Sequence, residues 1–180
     1  NDVSLTVKDG EFIIIIGRSG SGKTTLLNLA AGLIKPSSGH VLFDDIDLGE
    51  MTDAQISVLR SQRLGFVFQF PSLLPSLTVR ENITLPNMFV SKKNQSADER
   101  VAELAYSLGI KGKLDVYPRQ LSAGEQKRVV IARSLMNEPR LILADEPTSD
   151  LDIGTEDKVM DIMRNINSSG VTFLVVTHSL

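Results

Sequence analysis

The sequence predicts an α/β fold with a mainly parallel sheet, a small antiparallel β part near the N-terminus and an inserted helical subdomain. Three observations predict it. "EFIIII" is apolar at consecutive positions, as in a parallel strand covered on both faces. Strand signals return late in the chain as "RLILAD" and "VTFLVV". Between Phe70 and about Asn137 they disappear, and helix-start signatures take their place.

The elements follow in order. "VSLTV" and "EFIIII" are expected as strands, and Gly17 to Gly22 as a loop. Lys23 to Leu33 is expected as a helix burying Leu26, Leu27, Ala30 and Ala31. "KPSSG" reads as a turn and "HVLFDD" as a short strand. Thr52 to Arg63 is helical, opened by a Thr52–Gln55 capping box, and the strand "LGFVF" ends at Gln69. Further boxes pair Thr78 with Glu81, Ser96 with Glu99 and Ser122 with Glu125. Val101, Leu104, Ala105 and Leu108 recur at helical spacing before Gly109, and "SKKNQS" reads as an exposed loop. A late helix carries Val159, Ile162, Met163 and Ile166. The division expected is a core of residues 1–69 and 138–180, with a helical subdomain at 70–137.

Composition narrows the function. A chain of 180 residues suits one compact domain. Its net charge of −3 argues against a nucleic-acid surface. The absence of cysteine excludes disulfides and thiolate metal sites and favours a cytosolic setting. The longest apolar runs fall far short of the ~20 residues that a membrane span needs. No charged-then-apolar leader opens the chain, so membrane association is expected through a partner.

Gly17, Arg18, Ser19, Gly20, Ser21, Gly22, Lys23 and Thr24 fit G-x-x-x-x-G-K-[ST], the P-loop. Glycines let successive backbone N–H groups turn toward phosphate oxygens, and the following helix, through Thr25, adds its positive end. Lys23 would reach the β- and γ-phosphates, and the Thr24 hydroxyl would bind Mg²⁺. In "LILADEP" Asp145 emerges at the C-terminal end of a buried strand, a Walker B pattern in which it holds Mg²⁺, directly or through water. Pro147 is expected to keep Glu146 extended, and Glu146 to turn toward the γ-phosphate as general base or water-positioner. "QLSAGEQKRVVIARSL" places Ser122, Ala123 and Gly124 at a helix start, a second anion site that one nucleotide in one subunit does not need.

These motifs together resemble the nucleotide-binding domain of ATP-binding cassette (ABC) proteins. The resemblance spans the chain and implies a P-loop NTPase core. The family signature L-S-G-G-Q stands here as Leu121-Ser-Ala-Gly-Glu125. Gln69 falls at the Q-loop, where the family residue touches Mg²⁺ and reports to a membrane partner. Ser149 to Asp152 fall at the D-loop, which crosses the dimer interface in the family; Asp150 departs from its usual small or amide residue. His178 falls at the switch histidine that contacts the γ-phosphate, whereas His40 reads as structural. The segment with Pro71, Pro75 and "SLTVRENITLP" reads equally as a coupling surface for the membrane subunit or as an amphipathic helix over the core. Family domains begin earlier, with an aromatic that stacks on adenine, and run on past the switch histidine. The first ring here is Phe12, so a domain trimmed at both ends is expected.

The resemblance implies an ATPase subunit that pairs head to tail with a second nucleotide-binding domain around two ATP·Mg²⁺. One chain supplies Gly17 to Thr25, Gln69, Asp145, Glu146 and His178; the other supplies Ser122 and Gly124. The partner implied is an integral membrane permease subunit, holding the chain on the cytoplasmic face of the membrane, with no nucleic acid. "LGFVFQFPSLLPSLTVRENITLP" and "LSAGEQKR" are most similar to the branch serving lipoprotein release and macrolide export. Two alternatives stand beside transport: a soluble cassette protein acting on DNA or ribosomes, and an ATP-gated regulatory module. No sustained heptads lie between Gln69 and Leu121, unlike the coiled-coil insertion of the DNA-repair type. The ribosomal type carries two cassettes, and Glu146 argues against a module with little turnover.

Overall fold

In the computed structural model, residues 3–90 and 96–178 are described. Four parallel strands form the main sheet: β1 (Phe12–Ile16), β4 (Leu64–Val67), β5 (Leu141–Asp145) and β6 (Thr172–Thr177), in the order β1-β6-β5-β4. The second sheet is a hairpin of β2 (Leu42–Phe43) and β3 (Ile46–Asp47), the antiparallel part expected. Asp44 and Asp45 form its two-residue turn at φ 50° and 63°, so "HVLFDD" gives only two strand residues before the chain reverses.

The α-helices are α1 (Lys23–Ala30), α2 (Asp53–Arg63), α3 (Val79–Thr84), α4 (Ala97–Ser107), α5 (Ala123–Leu135) and α6 (Ile153–Ser168). Helix α1 is shorter than expected. Gly32 turns left-handed at φ 62°, and the Leu33 N–H returns to the Asn28 carbonyl. Leu27 and Ala31 are buried, while Leu26 and Ala30 are half-buried. Residues 3–7 do not form the expected strand. A strand exists only in a ladder, and no described segment pairs with this one; Val7 packs partly buried under the sheet instead. The expected "SKKNQS" loop lies, but for Ser96, outside the described residues.

Alternating strand residues face two layers. Leu143, Leu174 and Val176 pack with Leu27 of α1 and Ala31 just past its end on one face. Val67, Ile142, Ala144, Phe173 and Val175 pack on the other with α5, α6 and the helices α3 and α4. The helical segment and this sheet face therefore share one hydrophobic cluster. Strand β1 lies at the sheet edge, so its isoleucines are less buried than its apolar run suggests. Val79 and Ile83 of α3 are fully buried, so this part of "SLTVRENITLP" is a helix over the core. His40 is exposed and bonds to Asp47, whose carboxyl is held low first by the Gly49 N–H and then by His40.

Thr78 and Glu81 close a reciprocal capping box on α3. The Thr78 N–H, followed by the Thr78 hydroxyl, holds the Glu81 carboxyl below the usual glutamate range. A depressed carboxylate contributes stability above its unfolded pKa of ~4.3 and loses it as pH falls through the lowered folded value. Glu81→Gln should therefore lower the urea midpoint at neutral pH, and its gap from wild type should close on acidification below that range. A gap independent of pH would show that the charge of Glu81 contributes nothing.

Candidate nucleotide site

Parallel register sets the site at the C-terminal ends of the strands, where α/β sheets bind ligands. Ile16 lies beside Thr177, and Asp145 beside Val176, so the segments that leave these strands emerge together. The chain from β1 turns through the P-loop, anchored by the Gly17 N–H on the Thr177 carbonyl at 3.1 Å. A Cβ on Gly17 would stand 2.7 Å from Ser21 Oγ. Gly22 at φ 96° then starts α1 with no side-chain cap. Each of α2 to α6 has one, from Thr52, Thr78, Ser96, Ser122 and Asp152. Helix α1 thus leaves its first N–H groups to an external acceptor, and an anion of phosphate type fits them.

Lys23 Nζ donates to the Gly17 carbonyl at 2.6 Å and the Arg18 carbonyl at 3.3 Å, and lies 3.7 Å from Glu146 Oε1. Thr24 Oγ1 donates to Asp145 Oδ2 at 2.8 Å. Two oxygen donors of the kind Mg²⁺ takes are thereby side by side. Among the described residues no cluster of three His, Cys, Asp or Glu could hold a metal.

Glu146 departs from expectation. It is not extended but left-handed, at φ 45°. The Ser149 N–H and hydroxyl both bond to its carbonyl, closing a tight turn that overrides the bias from Pro147. The turn carries the carboxylate back to β6, where Oε2 accepts from Thr177 Oγ1 at 3.0 Å, the His178 N–H at 3.2 Å and His178 Nδ1 at 2.8 Å. An ionised carboxylate only accepts, so Nδ1 carries the proton of that bond. Burial opposes ionisation of Glu146, but the hydrogen bonds from His178 and Thr177 outweigh it and hold its pKa below the ordinary glutamate value. Thr177 was not among the residues expected at the site. Its only signal was a hydroxyl closing an apolar strand.

Gln69 follows β4 at the same C-terminal end of the sheet, since Val67 pairs with Ala144. Its side chain is exposed and bonds to no described residue, while its backbone carbonyl accepts from Lys127. Ser122 and Gly124 stand at the start of α5, and the hydrogen bonds of Ser122 stay within that first turn. Part of the expected anion site is taken by the chain itself, because the Glu125 carboxylate accepts from the Ser122 N–H at 2.8 Å and pairs with Lys113. Arg18, Ser19 and Gly20 are exposed along the loop, and Thr25 is exposed on α1. Asp150 is exposed in the turn after β5, at φ 67°.

The family model described as ABC transporter matches residues 1–149. The chain belongs to the ABC transporter family. It is 43% identical to the lipoprotein-releasing system ATP-binding protein LolD of Buchnera aphidicola, over 100% of this chain and 79% of that protein. It is 46% identical to LolD of Aquifex aeolicus, over 98% of this chain and 79% of that protein. Its fold matches a dimeric post-hydrolysis structure of the cassette MJ0796 bound to ADP and Pi. The TM-score is 0.88 and the identity 41%, covering 99% of this chain and 79% of that one. This ABC cassette is an ATPase subunit of a transport complex, and the comparisons favour that reading over a soluble or regulatory cassette.

Gly124 explains one feature of the ABC signature turn. A Cβ there would meet Thr155 Cγ2 of α6 at 2.6 Å. Thr155 cannot rotate freely, because its Oγ1 bonds to Asp152 Oδ2 at 2.7 Å. Gly124→Ala should therefore destabilise the fold by ~1–3 kcal/mol despite the helix preference of alanine. Thr155→Ser, which removes the methyl and keeps the hydroxyl, should restore most of that loss in urea unfolding. Equal losses with Thr and Ser would refute the clash.

Proposed function

We propose that this chain binds Mg·ATP between the P-loop and the ends of β5 and β6, and hydrolyses it with Glu146 directing the water. The observation that carries this is the convergence of Lys23, Thr24, Asp145, Glu146, Thr177 and His178 at the C-terminal ends of the strands, with α1 uncapped among them. Gly17 to Thr25 would cradle the phosphates by backbone N–H groups, with Lys23 as the cation. Thr24 and Asp145 would hold Mg²⁺, with Gln69 as a further ligand; bound there, the metal neutralises phosphate charge. Glu146 would accept the proton of the attacking water, and His178 would orient Glu146 through Nδ1 and face the γ-phosphate.

In this reading two cassettes pair head to tail, each lending Ser122 and Gly124 to the other's nucleotide. The 70–137 helical segment acts as a subdomain that moves against the 1–69 and 138–180 core. The relatives' lipoprotein-releasing role supports work on a membrane permease, with the chain held on the cytoplasmic face. No helix among the described residues is long and apolar enough to cross a membrane. A groove of about 610 Å³ lined by Val58, Phe66, Phe68, Leu85 and Phe89 offers a permease helix an apolar seat. Phe89 at its rim is 71% exposed.

The absence of native cysteine allows a direct test of the pairing. A mixture of Ser19→Cys and Ser122→Cys chains should form an intermolecular disulfide with Mg·ATP and not with ADP. Failure to cross-link with ATP, with both variants still binding it, would overturn the head-to-tail arrangement.

A further inference from the structure

We propose that Lys127 is a positioning residue of this cassette. From α5 it fixes the backbone after β4 and thereby sets where Gln69 presents its side chain to the nucleotide. The inference rests on the reading of Gln69 given above.

Lys127 is charged yet only 3% exposed, in the middle of a helix otherwise lined by Val129, Val130 and Ile131. Burying an ammonium costs several kcal/mol unless its protons are well received. Here Nζ donates to the Phe68 carbonyl at 3.4 Å and the Gln69 carbonyl at 2.5 Å. The nearer acceptor is thus the backbone of the very residue whose side chain is exposed and free to reach a ligand. No described backbone group secures the Phe68 and Gln69 carbonyls, which lie past the end of β4. Without Lys127 the Phe68 and Gln69 carbonyls would lose their tie to the helix.

A further contact fixes the same segment. Arg133 of the same helix bonds the Pro71 and Ser72 carbonyls and the Ser72 hydroxyl, so the segment is held at a second point. Burial lowers the Lys127 pKa, while the charge of Asp150 in the turn after β5 raises it. Helix α5 holds the segment after β4 at two points, one of them the backbone of Gln69.

The test is a double-mutant cycle on the full chain, reading ATP affinity by calorimetry and kcat by phosphate release. Lys127→Met keeps the stem volume and removes the charge and the donors. It should lower kcat at least ~10-fold while ATP affinity stays within ~3-fold, since the P-loop is untouched. It should also raise the Mg²⁺ concentration for half-maximal activity. In a Gln69→Ala background the same change should cost less than ~2-fold, because residues acting through one another are not additive. Lys127→Gln, which retains a donor, should recover most of the loss. Additive losses, or Lys127→Met at the wild-type kcat, would overturn the inference while leaving Gln69 in its place. Should Lys127→Met fail to fold, Lys127→Gln takes its position in the cycle. It should then show a ~2–5-fold loss alone and none on Gln69→Ala, and additivity again refutes the coupling. Wild-type kcat and Mg²⁺ dependence in Gln69→Ala alone would instead overturn the reading of Gln69, and the inference with it.

Discussion

Glu146→Gln is expected to spare ATP binding and slow hydrolysis by ~10²-fold or more, the contribution of a positioned general base. The substitution keeps the side chain's shape. One carboxamide oxygen can still accept from Thr177 and His178, as Oε2 does in the native chain. The amide nitrogen then stands where Oε1 lay, 3.7 Å from Lys23, and cannot take a proton from water. Binding rests on the P-loop and should stay within a few-fold of wild type by calorimetry. Unhydrolysed ATP should hold two chains together, giving a dimer on gel filtration in ATP and a monomer in ADP. Hydrolysis at the wild-type rate would remove Glu146 from the role of base.

Lys23→Ala is expected to abolish measurable ATP binding. Its ammonium is held over the loop by the Gly17 and Arg18 carbonyls, where phosphate oxygens would meet it. Hydrogen bonds to charged groups contribute ~1.5–3 kcal/mol each, so losing two corresponds to a fall of at least ~10²-fold in affinity. The variant also leaves Glu146 without its cation, so thermal unfolding should be followed alongside. Wild-type affinity for Mg·ATP in a folded Lys23→Ala chain would refute the phosphate cradle.

Much of the fold was legible because its signals are local. Each capping box joins residues three apart, and the Thr52, Thr78 and Ser122 boxes form as the sequence predicts. Val101, Leu104 and Ala105 bury at their helical spacing, and Gly109 closes that helix at φ 66°. The turn that opens α1 was legible for the same reason, since its glycine pattern lies in eight consecutive residues. Where local reading failed, a missing ladder partner or a competing hydrogen bond decided. "VSLTV" alternates like a strand but has no ladder partner among the described residues. The Glu146 backbone obeys the Ser149 hydrogen bonds rather than the preference imposed by Pro147.

The sequence by itself determined the family, most strands and helices of the core, and the kinds of side chain at the site. Residue type and spacing suffice for these, because they fix dihedral preference, burial and charge within a few residues. Tertiary structure alone decided the strand order β1-β6-β5-β4 and the meeting of groups as distant as Thr24 and Asp145. It alone set Thr177 and His178 against Glu146, and Lys127 beneath Gln69. Those contacts depend on which surfaces pack together, and packing is chosen by the burial of the whole chain, not by any segment's own preference.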